Sequence, residues 1–99
     1  MAAYRHTRAT LAAITAEAEG RHEEALGVFG DAEVGWNEFG NPYERAQCLV
    51  GKARCALELG RGDNALGPLG AARELFAALA ASPALEETDR LLRRAAAGA

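Results

Sequence analysis

Ninety-nine residues with a formal charge of −3 allow one domain with a modest core, spanning 1–99, and leave no room for a second. Hydrophobic residues make up 49 % of the chain but are mostly Ala, with three Phe, two Tyr and one Trp, and this composition predicts an all-α protein. Ten Arg and a single Lys, Lys52, against 14 acidic residues give no basic face that could follow a phosphate backbone, so no direct nucleic-acid contact is expected.

The first segment, "MAAYRHTRATLAAITAEAEG", carries Arg5, Arg8, Glu17 and Glu19 and has no apolar run long enough for a signal peptide or a membrane span. A cytoplasmic chain with no membrane partner is therefore expected. A helix over 4–18 ends at Gly20, one over 22–39 at Gly40 and one over 43–59 at Gly60, because helices commonly end on a residue that tolerates the left-handed conformation. "NPYE" at 41–44 reads as a helix start, with Asn41 as N-cap, Pro42 at the first helical position and Glu44 completing a capping box. Helices over 63–80 and 84–97 follow, the latter announced by Ser82 and Pro83, with Glu86 and Glu87 in its first turn to suit the helix dipole. Connections this short force successive helices to run antiparallel.

Within these segments the apolar spacing is helical, as in Ala25, Phe29, Ala32, Trp36 and Phe39, and again in Ala65, Leu69, Ala72, Leu75, Phe76 and Leu79. Cys48 and Cys55 share one helix face but lie about 10 Å apart along the axis, too far for a disulfide, and read as small buried residues. Glycines inside helices cost about 1 kcal/mol each relative to Ala. The pairs Gly27/Gly67 and Gly30/Gly70 are therefore expected to face a neighbouring helix, where a missing side chain permits close approach. Pro68 predicts an irregular first turn for its helix.

The strongest signal is internal. "GRHEEALGVFGDA" at 20–32 and "GRGDNALGPLGAA" at 60–72 agree at Gly20/Gly60, Arg21/Arg61, Ala25/Ala65, Leu26/Leu66, Gly27/Gly67, Gly30/Gly70 and Ala32/Ala72, an offset of 40. Self-similarity at such a period marks stacked repeats, each burying an apolar face against the next. The repeats are 4–40 and 41–81, and 82–97 is a terminal capping helix, with Leu85, Thr88, Leu91, Leu92 and Ala95 on one side and Glu87, Arg90, Arg93 and Arg94 on the other.

These stretches resemble the second helix of a tetratricopeptide repeat, in the succession Gly20, Glu23, Glu24, Ala25, Phe29, Ala32 and then Gly60, Asp63, Ala65, Leu69, Ala72. The period of 40 exceeds the usual 34 and resembles the longer-helix variant of MalT-like regions. "NPYERAQCLVGKARCALELGR" and "ARELFAAL" are similar to closing repeats of bacterial LuxR-type regulators and of cyclases carrying a signalling ATPase. In the first helix, Ala9, Ala12, Ala13 and Ala16 stand where Trp, Leu, Gly and Tyr are usual. The resemblance implies a TPR-like α-solenoid of five helices, about two and a half repeats of tandem antiparallel hairpins.

Catalytic readings find little support. Ser82, the sole serine, reads as a cap; His6 and His22 fit no metal spacing and read as solvated; neither Gly-rich stretch ends in the Lys-Ser/Thr of a phosphate loop. "RGD" at 61–63 falls in a repeat turn, and Glu23/Glu24 and Glu86/Glu87 point apart on a helix. No catalysis, cofactor or metal is expected. The resemblance implies a shallow protein- or peptide-binding groove lined by Thr7, Thr10, Ile14 and Glu17 and then by Gln47, Val50, Arg54 and Leu57. Arg54 is expected either to anchor a partner's carboxylate or carbonyl or to pair with Glu58 at i+4. A ligand-sensing remnant of a larger signalling ATPase, cyclase or transcription regulator is the alternative function. A homo-oligomer closed through exposed repeat ends is a third reading.

Overall fold

The first four helices of this chain stop in the same way. The computed structural model describes residues 2–98, and among them are five α-helices and no strand: α1 (Ala2–Ala18), α2 (His22–Phe39), α3 (Pro42–Glu58), α4 (Asp63–Ala78) and α5 (Ser82–Ala97). After α1 the amide of Gly20 donates to Glu17 O and that of Arg21 to Ala16 O, the paired bonds of a Schellman cap. The same two bonds recur at Gly40/Asn41, Gly60/Arg61 and Ala80/Ala81. The capping residue is left-handed each time, with φ of 80° at Gly20, 89° at Gly40, 75° at Gly60 and 54° at Ala80. Four identical turns spaced by 20 residues fold the helices into an antiparallel zigzag.

The helix starts are less uniform. Asn41 Oδ1 accepts from the Glu44 amide at 3.0 Å, as expected of an N-cap. The returning half of the capping box is absent, because the Asn41 amide is already committed to Trp36 O in the preceding cap. Ser82 is not a cap: α5 begins on Ser82 itself with Ala81 at the cap position, which carries Glu86 and Glu87 beyond the first turn. The α4 start is irregular, as Pro68 predicts, with i→i+3 bonds from Asn64 to Arg61 O and from Ala65 to Gly62 O.

Each helix packs chiefly on its sequence neighbours, yet α1 also meets α3 and α3 meets α5, while the backbones of α2 and α4 do not come close. The odd-numbered helices therefore share one side, called here the inner face. Two core clusters result. Ala13, Ala16, Ala25, Phe29, Ala32, Trp36, Cys48 and Cys55 fill the space among α1, α2 and α3. The other is centred on α3 and α4, with Val50, Ala53, Leu69 and Phe76 among its members, and Leu85, Leu91 and Leu92 of α5 packed against it.

The repeat governs burial. Trp36 and Phe76 are both in the core, as are Phe29 and Leu69, Ala25 and Ala65, and Ala32 and Ala72. Phe39 and Leu79 do not join them: both stand in the final turn beside a cap and emerge into solvent. The repeated glycines behave differently from the sequence expectation. Nothing lies within 4 Å of a Cβ placed on Gly27, Gly67 or Gly70, and one on Gly30 would only graze the Lys52 stem at 3.9 Å. Close approach occurs instead at Gly35, against the His6 ring, and at Gly51, where a Cβ would stand 2.6 Å from the Phe29 ring.

Candidate functional site on the inner face

Laying α1 on α3 at the 40-residue shift pairs the eight expected groove residues as Thr7/Gln47, Thr10/Val50, Ile14/Arg54 and Glu17/Leu57. One of these pairs turns inward. Val50 has no exposed surface and belongs to the α3–α4 core. Thr10 is a polar junction between three helices: its hydroxyl donates to His6 O at 2.8 Å, accepts from Trp36 Nε1 at 2.9 Å and lies 3.7 Å from Cys48 Sγ. An indole N–H buried without an acceptor is costly, and Thr10 supplies that acceptor. Val50 is thus an interior position that lines no surface, whereas Thr10 is half-buried with its hydroxyl spent on this junction.

The remaining three pairs stay at the surface. Thr7 and Ile14 are exposed, Ile14 by 47 %, while Gln47, Leu57, Glu17 and Arg54 are half-buried. Gln47 Nε2 donates to Tyr43 Oη at 3.0 Å on its own helix. Arg54 does not pair with Glu58. Its Nε and Nη2 donate to the two carboxylate oxygens of Glu17 at 2.7 and 3.0 Å, a fork-to-fork pair joining α3 to α1. That hydrogen bonding raises the Arg54 pKa above its ordinary value against the opposing pull of burial, and the Glu87 charge adds to it. Glu58 is instead reached by Arg94 of α5 at 3.3 Å. Arg94 is the 40-residue equivalent of Arg54, so both inner-face contacts, α3 to α1 and α5 to α3, are bridged by an Arg reaching back to a Glu.

The inner face therefore includes Glu87 and Arg94, which stand where α3 has Gln47 and Arg54. Both were within reach of sequence reasoning, since applying the repeat shift to α5 identifies them at once. What the face offers is an ion-paired guanidinium between an exposed Ile and a half-buried Leu, with carboxylates on either side. It is a shallow surface and not a cavity. Two depressions lie at the ends of the stack, one lined by Tyr4, Arg5, Arg8, Ala9 and Ala12, the other by Glu86, Asp89, Arg90 and Arg93.

Other reactive side chains are occupied or isolated. Cys48 and Cys55 are fully buried free thiols, and burial pushes the Cys55 thiol up to about 11. His6 is not solvated as expected: it packs edge-on against Trp36 and Phe39 at centroid distances of 5.4 and 6.2 Å. His22 is half-buried, with Nδ1 unpaired in the interior. Among the described residues no three His, Cys, Asp or Glu side chains gather as a metal site, and no helix is long and apolar enough to cross a membrane. Arg61, in the turn that spells RGD, is held by Glu23 through two bonds of 2.9 and 2.7 Å. No protein-family model, curated protein or solved structure matches the chain.

Proposed function

We propose that the chain is a non-catalytic interaction module, a TPR-like α-solenoid of two and a half repeats that holds a peptide or protein segment across its inner face. The observation that carries this reading is the Glu17–Arg54 pair flanked by Ile14 and Leu57, a rigid charged centre between apolar side chains. Such a surface suits an extended partner, whose backbone carbonyls or carboxylates compete for guanidinium donors while an apolar side chain rests on Ile14. The contacts of α1 with α3 and of α3 with α5 support the repeat reading, since the inner helices of stacked hairpins form such a row. The resemblance to closing repeats of bacterial signalling proteins supports a cytoplasmic regulator as the setting for the module.

The test uses Ile14, which is 47 % exposed and is not a member of either core cluster. The immobilised wild-type chain is expected to retain a partner from a bacterial lysate that Ile14→Glu does not, with both chains melting alike. Arg54→Glu should lose it as well, but that variant also sets a carboxylate between Glu17 and Glu87 and lowers the melting temperature. Equal retention by wild type and Ile14→Glu would remove the inner face as the binding surface.

A further inference from the structure

The repeat relation continues past the two hairpins, because α5 lies on α3 at the same shift as α3 on α1. On α3, the face formed by Arg45, Cys48, Gly51 and Cys55 is covered by α2. Phe29 rests on Gly51, and Arg45 Nε donates to Glu33 at 2.9 Å. The equivalent face of α5 is Leu85, Thr88, Leu91 and Ala95, and α4 covers it, leaving Thr88 and Ala95 fully buried. On α1 the equivalents are Arg5, Arg8, Leu11 and Thr15, and no helix of the chain covers them. Leu11 is 58 % exposed and Tyr4 64 %, Arg8 lies over the Tyr4 ring at 5.7 Å, and neither Arg5 nor Arg8 has an ion-pair partner among the described residues.

The opposite end of the stack is finished differently. The residues with which α3 meets α4, Ala46, Leu49, Val50 and Ala53, are replaced on α5 by Glu86, Asp89, Arg90 and Arg93, a charged face that accepts no further helix. The α1 edge has no such finish.

We propose that the α1 edge docks an amphipathic helix of a partner protein, running antiparallel to α1 as α2 runs on α3. Continuity with the α2–α3 interface sets its chemistry. Opposite Arg5 it carries an acidic residue, because Arg5 holds the place of Arg45, whose partner is Glu33. Opposite Leu11 it carries a side chain no larger than Leu, because Leu11 fills the space that Gly51 leaves to Phe29, and α5 pairs Leu91 with the core that contains Leu69. A second copy of α1 is disfavoured, since a parallel copy would set Arg5 and Arg8 against the same arginines, and an antiparallel copy centred on this face would set Thr15, not an acidic residue, opposite Arg5.

The probe is a fluorescein-labelled synthetic peptide with the α2 sequence, His22–Phe39, carrying Phe29→Leu, titrated with the full chain and read by anisotropy. The rise is expected to saturate with wild type and to be lost with Arg5→Glu and with Leu11→Asp, both at exposed positions that leave the helical circular dichroism unchanged. A peptide that also carries Glu33→Arg should fail on wild type and bind the Arg5→Glu chain. The proposal is overturned by no rise at any soluble concentration of wild type. It is equally overturned by a rise that survives Arg5→Glu and Leu11→Asp but not Arg45→Glu, which would show the peptide displacing α2 from α3. A dimer in sedimentation equilibrium that Leu11→Asp disperses would assign the edge to a second copy instead.

Discussion

The seam between α2 and α3 and the outward faces of α2 and α4 use glycine for opposite reasons. In the seam, Gly51 stands between Cys48 and Cys55, lets the Phe29 ring come to rest on the backbone, and has no glycine at its repeat equivalents, which are Leu11 and Leu91. On the outward faces, Gly27 and Gly67 recur faithfully and touch nothing. Recurrence in sequence and necessity in packing are therefore separate properties here. A repeated small residue at an open position costs the helix its usual penalty with no return contact, whereas a solitary one can fix the distance between two helices.

The largest break in this contrast is expected from Gly51→Ala. A methyl group 2.6 Å from a ring that is itself buried must displace Phe29, and overpacking of this kind costs about 1–3 kcal/mol, more than the helix-propensity gain returns. Thermal melts should show a lowered midpoint. An unchanged or raised one would mean that the seam is loosely packed.

A smaller effect in the same seam is alkaline. Burial raises the Cys55 thiol from 9.0 to about 11, so the folded state favours the neutral form. Its contribution is whole below pH 9 and is lost as pH rises through about 11. Melts of wild type should fall across that window by more than melts of Cys55→Ala; parallel curves would show that the thiol titrates freely.

Ala80→Gly sharpens the comparison at the turns. Three of the four caps have glycine in the left-handed position and the fourth has Ala80 at φ 54°, which costs an L-residue about 1–2 kcal/mol. The substitution should raise stability by about 1 kcal/mol in urea. No gain would mean that the fourth turn relaxes in solution.

Gly27→Ala is the smallest change and opposite in sign to Gly51→Ala. With open space at its Cβ in the middle of α2, it should stabilise by about 0.5–1 kcal/mol, whereas Gly67→Ala should gain less, because residue 67 precedes Pro68 and a Cβ there crowds the proline ring in the helical conformation. Loss of stability at Gly27→Ala would point to a contact that the open face does not show.

What was legible in the sequence was local or repeated. Gly20, Gly40 and Gly60 announce their turns because only glycine adopts positive φ without strain, and the Trp36/Phe76 and Phe29/Leu69 equivalences announce the core. The fourth turn was missed as a cap because Ala80 carries no such local mark, and its only sign is the spacing of 20 from Gly60. The groove register failed at Val50 for a different reason, and Thr10 spends its hydroxyl inside the fold. Which side of a helix becomes interior depends on where Trp36 needs an acceptor and where α4 packs, and neither is encoded in α1 or α3 alone. Arg54 found Glu17, 37 residues away, in preference to Glu58 four residues away, because a neighbouring helix brings the carboxylate into fork geometry.

The contact between α1 and α3 is what makes the inner face a single surface, and the Glu17–Arg54 pair is its most specific mark. A double-mutant cycle on the full chain, with Glu17→Ala, Arg54→Ala and both together, measures that contact without requiring any partner. Each single variant should destabilise, and the double should cost less than their sum, giving a coupling of about 1 kcal/mol for a half-buried, two-point pair. Strictly additive losses would mean that α1 and α3 do not meet in this register, and the inner face with its bridging arginines would have to be abandoned.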